Sequence, residues 1–253
     1  MTDMIEEIIA HHPHLEDPFR FYAKSLRFGE AVEELRIPMR PDLNAYPPEL
    51  TDQIIQRFLS VFDLPEGALS PLQQALELGE IDFTRLPLLE VPAFSLPYPE
   101  DDLMMLLFLL SRPFFHERKR VLRLDDPFWK SGRCPVCSAR PFLSTLRPDN
   151  QRQFFCPFCA TQGQYDPAGC PVCENTDAAQ TRVFSYEGEE GVMVHACELC
   201  RSYVKTVDGK LLGRLTPDLV DLMSLPLDIV IQEKGYKRPS PNPLGMIRMS
   251  ATG

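Results

Sequence analysis

The sequence predicts an α+β chain: an all-helical N-terminal domain, two tandem four-cysteine ribbons and a C-terminal helix. Three observations predict it. All eight cysteines fall within the 67 residues from Cys134 to Cys200. Apolar residues recur at helical spacing before that stretch and again after it, whereas within it short runs rich in aromatic and β-branched residues take over. Charge divides at the same place: residues 1–129 carry 12 basic and 23 acidic side chains, a net of −11, while residues 130–210 balance nine against nine. The expected division is 1–129 for the helical domain, 130–166 and 167–210 for the two ribbons, and 211–253 for a C-terminal helix with an extended tail.

Residues 4–11 and 19–35 read as the first two helices; the second sets Phe19, Tyr22, Leu26, Val32 and Leu35 along one stripe. Pro47-Pro48 precedes an amphipathic helix over 50–62. Ser70 and Pro71 suit the N-cap and first position of a short helix that ends near Gly79. Pro87, Pro92, Pro97 and Pro99 impose an extended connector, because each lacks an N–H and turns its predecessor away from helix. Glu100-Asp101-Asp102 then places negative charge where a helix dipole favours it, ahead of the apolar run 103–110. Pro113 is expected to kink or restart that helix.

The ribbon region supplies strand-like runs at 153–155, 182–186, 192–195 and 202–207, with a tight turn expected at Asp208-Gly209. Thr216-Pro217 opens a helix over 218–234, with Pro226 as a kink and Gly235 as its stop. Prolines 239, 241 and 243 make the tail extended.

Composition excludes several classes. The 253 residues carry 26 basic and 36 acidic side chains, a net of −10, and apolar content is ordinary, so wholesale disorder is ruled out. The first residues lack the basic and apolar regions of a secretory signal. The longest apolar run, 103–110, falls far short of the roughly 20 residues that span a bilayer. The expectation is a cytoplasmic protein without membrane insertion, where regular cysteines bind metal rather than form disulfides. Phosphate loops, nucleophile elbows and zincin helices are absent from the sequence, and the histidines His11, His12, His14 and His195 form no catalytic set. The chain therefore reads as a non-enzyme with no small-molecule substrate.

The cysteines form four C-x2-C pairs separated by 18, 10 and 23 residues. A two-residue spacer lets a tight turn aim both sulfurs at one ion, and two such knuckles complete a four-thiolate cage. Gaps of 18 and 23 suit a hairpin between knuckles, and the gap of 10 a passage to the next ribbon. One metal is thus expected on Cys134, Cys137, Cys156 and Cys159, and another on Cys170, Cys173, Cys197 and Cys200. Iron and zinc both accept four thiolates. Zinc-ribbon or rubredoxin-like clips that fold the segment are the first reading, and redox-active iron for electron transfer the alternative. Filling both cages with divalent ions moves the net charge from −10 to about −14, which disfavours a zinc-ribbon nucleic-acid binder, since that function needs basic residues against phosphates. Arginines 133, 140, 147 and 152 read as a solvated ribbon face.

These residues resemble the FdhE family of formate dehydrogenase accessory proteins. The likeness runs through Cys134-Pro135-Val136-Cys137 and Pro141, the three later pairs, Ser202-Tyr203-Val204-Lys205, Asp221-Leu222, Ser224-Leu225, Leu227-Asp228, Gly235-Tyr236 and Asn242-Pro243. It covers about residues 134–243. It implies a maturation factor that contacts the catalytic subunit of a formate dehydrogenase and carries iron or zinc in two sites. Rubredoxin-like knuckles often place glycine after the second cysteine; here Ser138, Ala160, Glu174 and Arg201 stand there, so strained or altered turns are expected. For partner contact the candidates are Tyr203 and Lys205, as exposed ribbon positions, and Tyr236, Arg238 and Asn242 in the tail.

Overall fold

A computed structural model describes residues 2–40, 42–88, 96–124, 126–147, 151–165, 169–186, 191–242 and 244. The chain forms two compact units, residues 1–123 and 124–253.

Five α-helices were found among the described residues of the first unit: α1 (Thr2–His11), α2 (Glu16–Glu33), α3 (Pro48–Phe62), α4 (Ser70–Glu77) and α5 (Glu100–Leu122). Their stripes meet in an aromatic core. Phe28 packs edge-on to Phe58 at 5.0 Å, Phe58 stacks on Phe62 at 4.4 Å, and Tyr46, Phe83 and Phe114 touch one another. Ser70 opens α4 as its first residue without a side-chain cap, and Pro71 follows inside the first turn. Pro92 lies outside the described residues.

The helix does not restart at Pro113: α5 runs 23 residues with Pro113 inside it. Pro113 removes one helical donor, yet residues Leu106 to Phe115 are all buried, and a helix buried on every side is held by what surrounds it. The Tyr46 hydroxyl also donates to the Leu110 carbonyl at 2.7 Å, tying this part of α5 to the surrounding core.

The second unit holds one six-stranded sheet of β1 (Leu143–Leu146), β2 (Arg152–Phe155), β3 (Gln162–Tyr165), β4 (Thr181–Ser185), β5 (Val192–Cys197) and β6 (Tyr203–Val207), in the order β3-β2-β1-β6-β5-β4. Each ribbon contributes three antiparallel strands. The ribbons fuse through the parallel pair β1–β6, which sets Leu143 beside Lys205 and Thr145 beside Val207. At the β3 edge, the Trp129 N–H donates to the Gln164 carbonyl at 2.8 Å, covering that rim.

Asp208-Gly209 makes no hairpin turn; the Asp208 carboxylate accepts from Lys210 N–H and caps a single helical turn, α6 (Gly209–Leu212). Beyond it lie α7 (Pro217–Met223) and α8 (Leu225–Glu233). Thr216 caps α7 through its side chain. Pro226 sits in the first turn of α8, where its missing N–H costs nothing, so the expected single kinked helix is two helices that meet at Ser224. Val220, Leu227 and Ile231 of this pair pack on Leu143, Val194 and Tyr203. Every residue of β6 is buried, so the central strand is covered on both faces. Among the described residues no helix is long and apolar enough to cross a membrane.

Candidate metal centres

Each C-x2-C pair sits in a tight turn built the same way. The N–H of the first cysteine donates to the carbonyl five residues on: Cys134 to Ala139, Cys156 to Thr161 and Cys170 to Asn175 at 2.9 Å, and Cys197 to Ser202 at 2.8 Å. To close so tightly, the residue after the second cysteine adopts positive φ: Ser138 66°, Ala160 50°, Glu174 61° and Arg201 56°. The turn of a glycine-bearing knuckle is therefore kept without glycine, and each non-glycine residue held there stores local strain.

The strands bring the knuckles together in two groups, Cys134 with Cys137, Cys156 and Cys159, and Cys170 with Cys173, Cys197 and Cys200. Within the first, Cys134 and Cys159 sulfurs lie 3.4 Å apart, Cys137 and Cys156 3.3 Å, and Cys137 and Cys159 3.8 Å. Within the second, Cys170 and Cys200 are 3.5 Å apart and Cys173 and Cys197 3.7 Å. None of the eight is in a disulfide. A tetrahedral ion at ~2.3 Å from four sulfurs sets them about 3.8 Å apart, so both groups can hold a metal ion of that kind. Burial pushes the Cys137, Cys156, Cys170 and Cys173 thiols up. A divalent cation is the charge that lets such groups ionise together.

The two centres differ in access. All four cysteines of the first are buried; in the second Cys173 is exposed and Cys200 half-buried. The Thr161 hydroxyl lies 3.0 Å from Cys159 Sγ in the first centre. In the second, the Val172 N–H donates to Cys170 Sγ at 3.4 Å. Arg140 anchors this knuckle. It donates to the Pro171 carbonyl, to Val172 O at 3.0 Å and to Ser131 O at 2.6 Å. Gly132 is seated against Pro171 with φ of 58°; a Cβ there would lie 2.1 Å from the Pro171 carbonyl oxygen. A small cavity beside the second centre is lined by Cys170, Cys197, Arg152, His195, Thr181 and Ser202.

The five residues named as candidate partner contacts are all buried, Tyr203 1%, Lys205 0%, and Tyr236, Arg238 and Asn242 5% each, so Tyr203 and Lys205 are not the exposed ribbon positions expected. Four of them belong to one charge network beneath α7 and α8. Lys205 Nζ lies 2.6 Å from Asp228 Oδ2 and 2.7 Å from Asp221 Oδ1. Arg238 donates to both Asp228 oxygens at 2.9 Å and to Asp221 Oδ2 at 2.6 Å. Asn242 Nδ2 reaches Asp221 Oδ2 at 2.6 Å, and the Tyr203 hydroxyl donates to Asp228 Oδ1 at 2.6 Å. Two cations thus face two carboxylates, and burial is compensated. Tyr236 braces the last knuckle instead: its hydroxyl donates to Glu198 Oε1 at 2.5 Å while Arg201 stacks 3.8 Å above its ring. Pro243 lies outside the described residues.

Sequence reasoning passed over Asp221 and Asp228 as site residues, and over Arg140 as an anchor. The signal for the aspartates was the presence of two acids in the otherwise largely apolar stretch 219–231.

Comparison with known proteins places this architecture. The family "FdhE, C-terminal domain" matches residues 169–244. "Protein FdhE homolog" of Aquifex aeolicus is 27% identical over 150 residues, 57% of this chain and 53% of that protein. The homologue of Stutzerimonas stutzeri is 32% identical over 118 residues, 43% of this chain and 37% of its own. The matched stretch therefore spans about half, or less, of the length of these curated relatives. The crystal structure of the FdhE protein from Pseudomonas aeruginosa superposes with a TM-score of 0.58 over 94% of this chain and 98% of that one, at 17% identity; that likeness concerns the fold.

Proposed function

Since the chain belongs to the FdhE family, we propose that it is a cytoplasmic, non-enzymatic accessory protein in the formation of active formate dehydrogenase. It contacts the catalytic subunit of that enzyme and carries two metal ions, iron or zinc. The observation that carries this reading is the pair of four-sulfur groups built into one sheet, the second of which lies within residues 169–244 that match the FdhE C-terminal domain. Cys134, Cys137, Cys156 and Cys159 would hold one ion, and Cys170, Cys173, Cys197 and Cys200 the other. Bound metal supplies a rigid clip, and the ribbons then present a fixed recognition surface. In this reading residues 1–129 are the helical domain, 130–166 and 167–210 the ribbons, and 211–253 the closing helices and tail.

A second reading, electron transfer through ribbon iron, is favoured by the exposed Cys173 at the second centre. Deleting the gene and assaying formate dehydrogenase separates the two classes. The accessory role requires loss of that activity and co-purification of its catalytic subunit with the chain; full activity in the deletion strain contradicts it.

A further inference from the structure

Arg152 belongs to β2 of the first ribbon, yet it lines the cavity beside Cys170 and Cys197 of the second centre. Among the described residues no carboxylate pairs with it; Tyr165 stands opposite it on β3, and Cys170 lines the same cavity. A half-buried guanidinium is stabilised by negative charge placed near it. Four thiolates around a divalent ion carry a net charge of −2, a counter-charge beside that guanidinium. Arg140, also of the first ribbon, pins the Cys170 knuckle through the Pro171 and Val172 carbonyls.

We infer that the first ribbon completes the second metal centre, with Arg152 as a positioning residue whose positive charge offsets the filled cage of Cys170, Cys173, Cys197 and Cys200. The inference rests on the metal-centre reading above and adds a dependence that the four cysteines alone do not impose. The four cysteines of the first cage are all buried, and Arg152 is assigned to the second cage alone. Arg152 neither ligates the ion nor reacts; it stabilises the loaded state, a role whose removal typically lowers affinity 10- to 100-fold.

The test uses the full chain loaded with cadmium-113, which gives one resonance for each four-thiolate cage, and competition with a chelator to rank the affinities. Arg152→Gln is expected to weaken the second site about tenfold or more and to leave the first unchanged, while Arg152→Lys, which keeps the charge, retains most of the affinity. In the unmodified chain, raising salt should speed metal release from the second site more than from the first, because a partly exposed charge contact is screened. Equal weakening of both sites, no weakening at all, or a lysine variant as weak as the glutamine one overturns the inference, as does salt-independent release. If the unmodified chain takes up fewer than two ions, the metal-centre reading fails first, and the two failures are thus told apart.

Discussion

Lys205 Nζ lies 2.6 Å from Asp228 Oδ2, with both side chains wholly excluded from water. The pair joins the central strand β6 to helix α8, and Arg238 and Asp221 close it into a neutral set of four charges. Burial alone would raise the Asp228 carboxyl, but Arg238 and Lys205 hold it below the ordinary carboxylate range. The network fastens the closing helices to the sheet that carries both cages.

Removing one partner leaves a buried charge uncompensated. Lys205→Met should cost about 3–5 kcal/mol of stability, read as a lowered denaturant midpoint of the second unit with metal bound. A cost below about 1 kcal/mol would mean that the helices are held by apolar packing alone.

His116 gives a pH dependence in the first unit. Burial, with Arg112 and Lys119 nearby, lowers its pKa from 6.5 to about 3. Between those values the unfolded chain binds a proton that the folded chain refuses. Its contribution to stability is therefore full above pH ~6.5 and declines as pH falls towards 3. His116→Gln should flatten that decline in denaturant melts at a series of pH values. An unchanged slope would place the histidine in water.

The four left-handed knuckle residues predict a gain. Glu174 is exposed and held at φ of 61°. Relief of the side-chain clash by Glu174→Gly is worth ~1–2 kcal/mol, offset by about 0.5–1 kcal/mol of extra chain entropy. A net stabilisation of roughly 0.5 kcal/mol is expected in melts of the metal-bound chain, together with unaltered metal uptake. Destabilisation beyond about 1 kcal/mol would show that the glutamate side chain itself supports the turn.

How legible these features were depended on the distance between partners in the sequence. The knuckles are local: two residues between cysteines fix each turn, and hairpin-sized gaps group them. The helix starts at Pro48, Ser70 and Pro217 are local as well. The fusion of two ribbons into one sheet is not, because β1 meets β6 across some sixty residues of intervening chain. The same distance misled the reading of Lys205. A lysine on a strand is ordinarily a solvent-facing residue, and only Asp221 and Asp228, brought in by α7 and α8, make its burial tolerable. Pro113 failed as a helix breaker for the converse reason, since burial around α5 outweighed a local signal.

The central claim is most directly tested by the metal content of the chain purified from its own host under reducing conditions. Elemental analysis should find two ions per chain, iron or zinc, and X-ray absorption should find four sulfur neighbours at about 2.3 Å around each. One ion or none per chain, or neighbours that are not sulfur, would contradict the account.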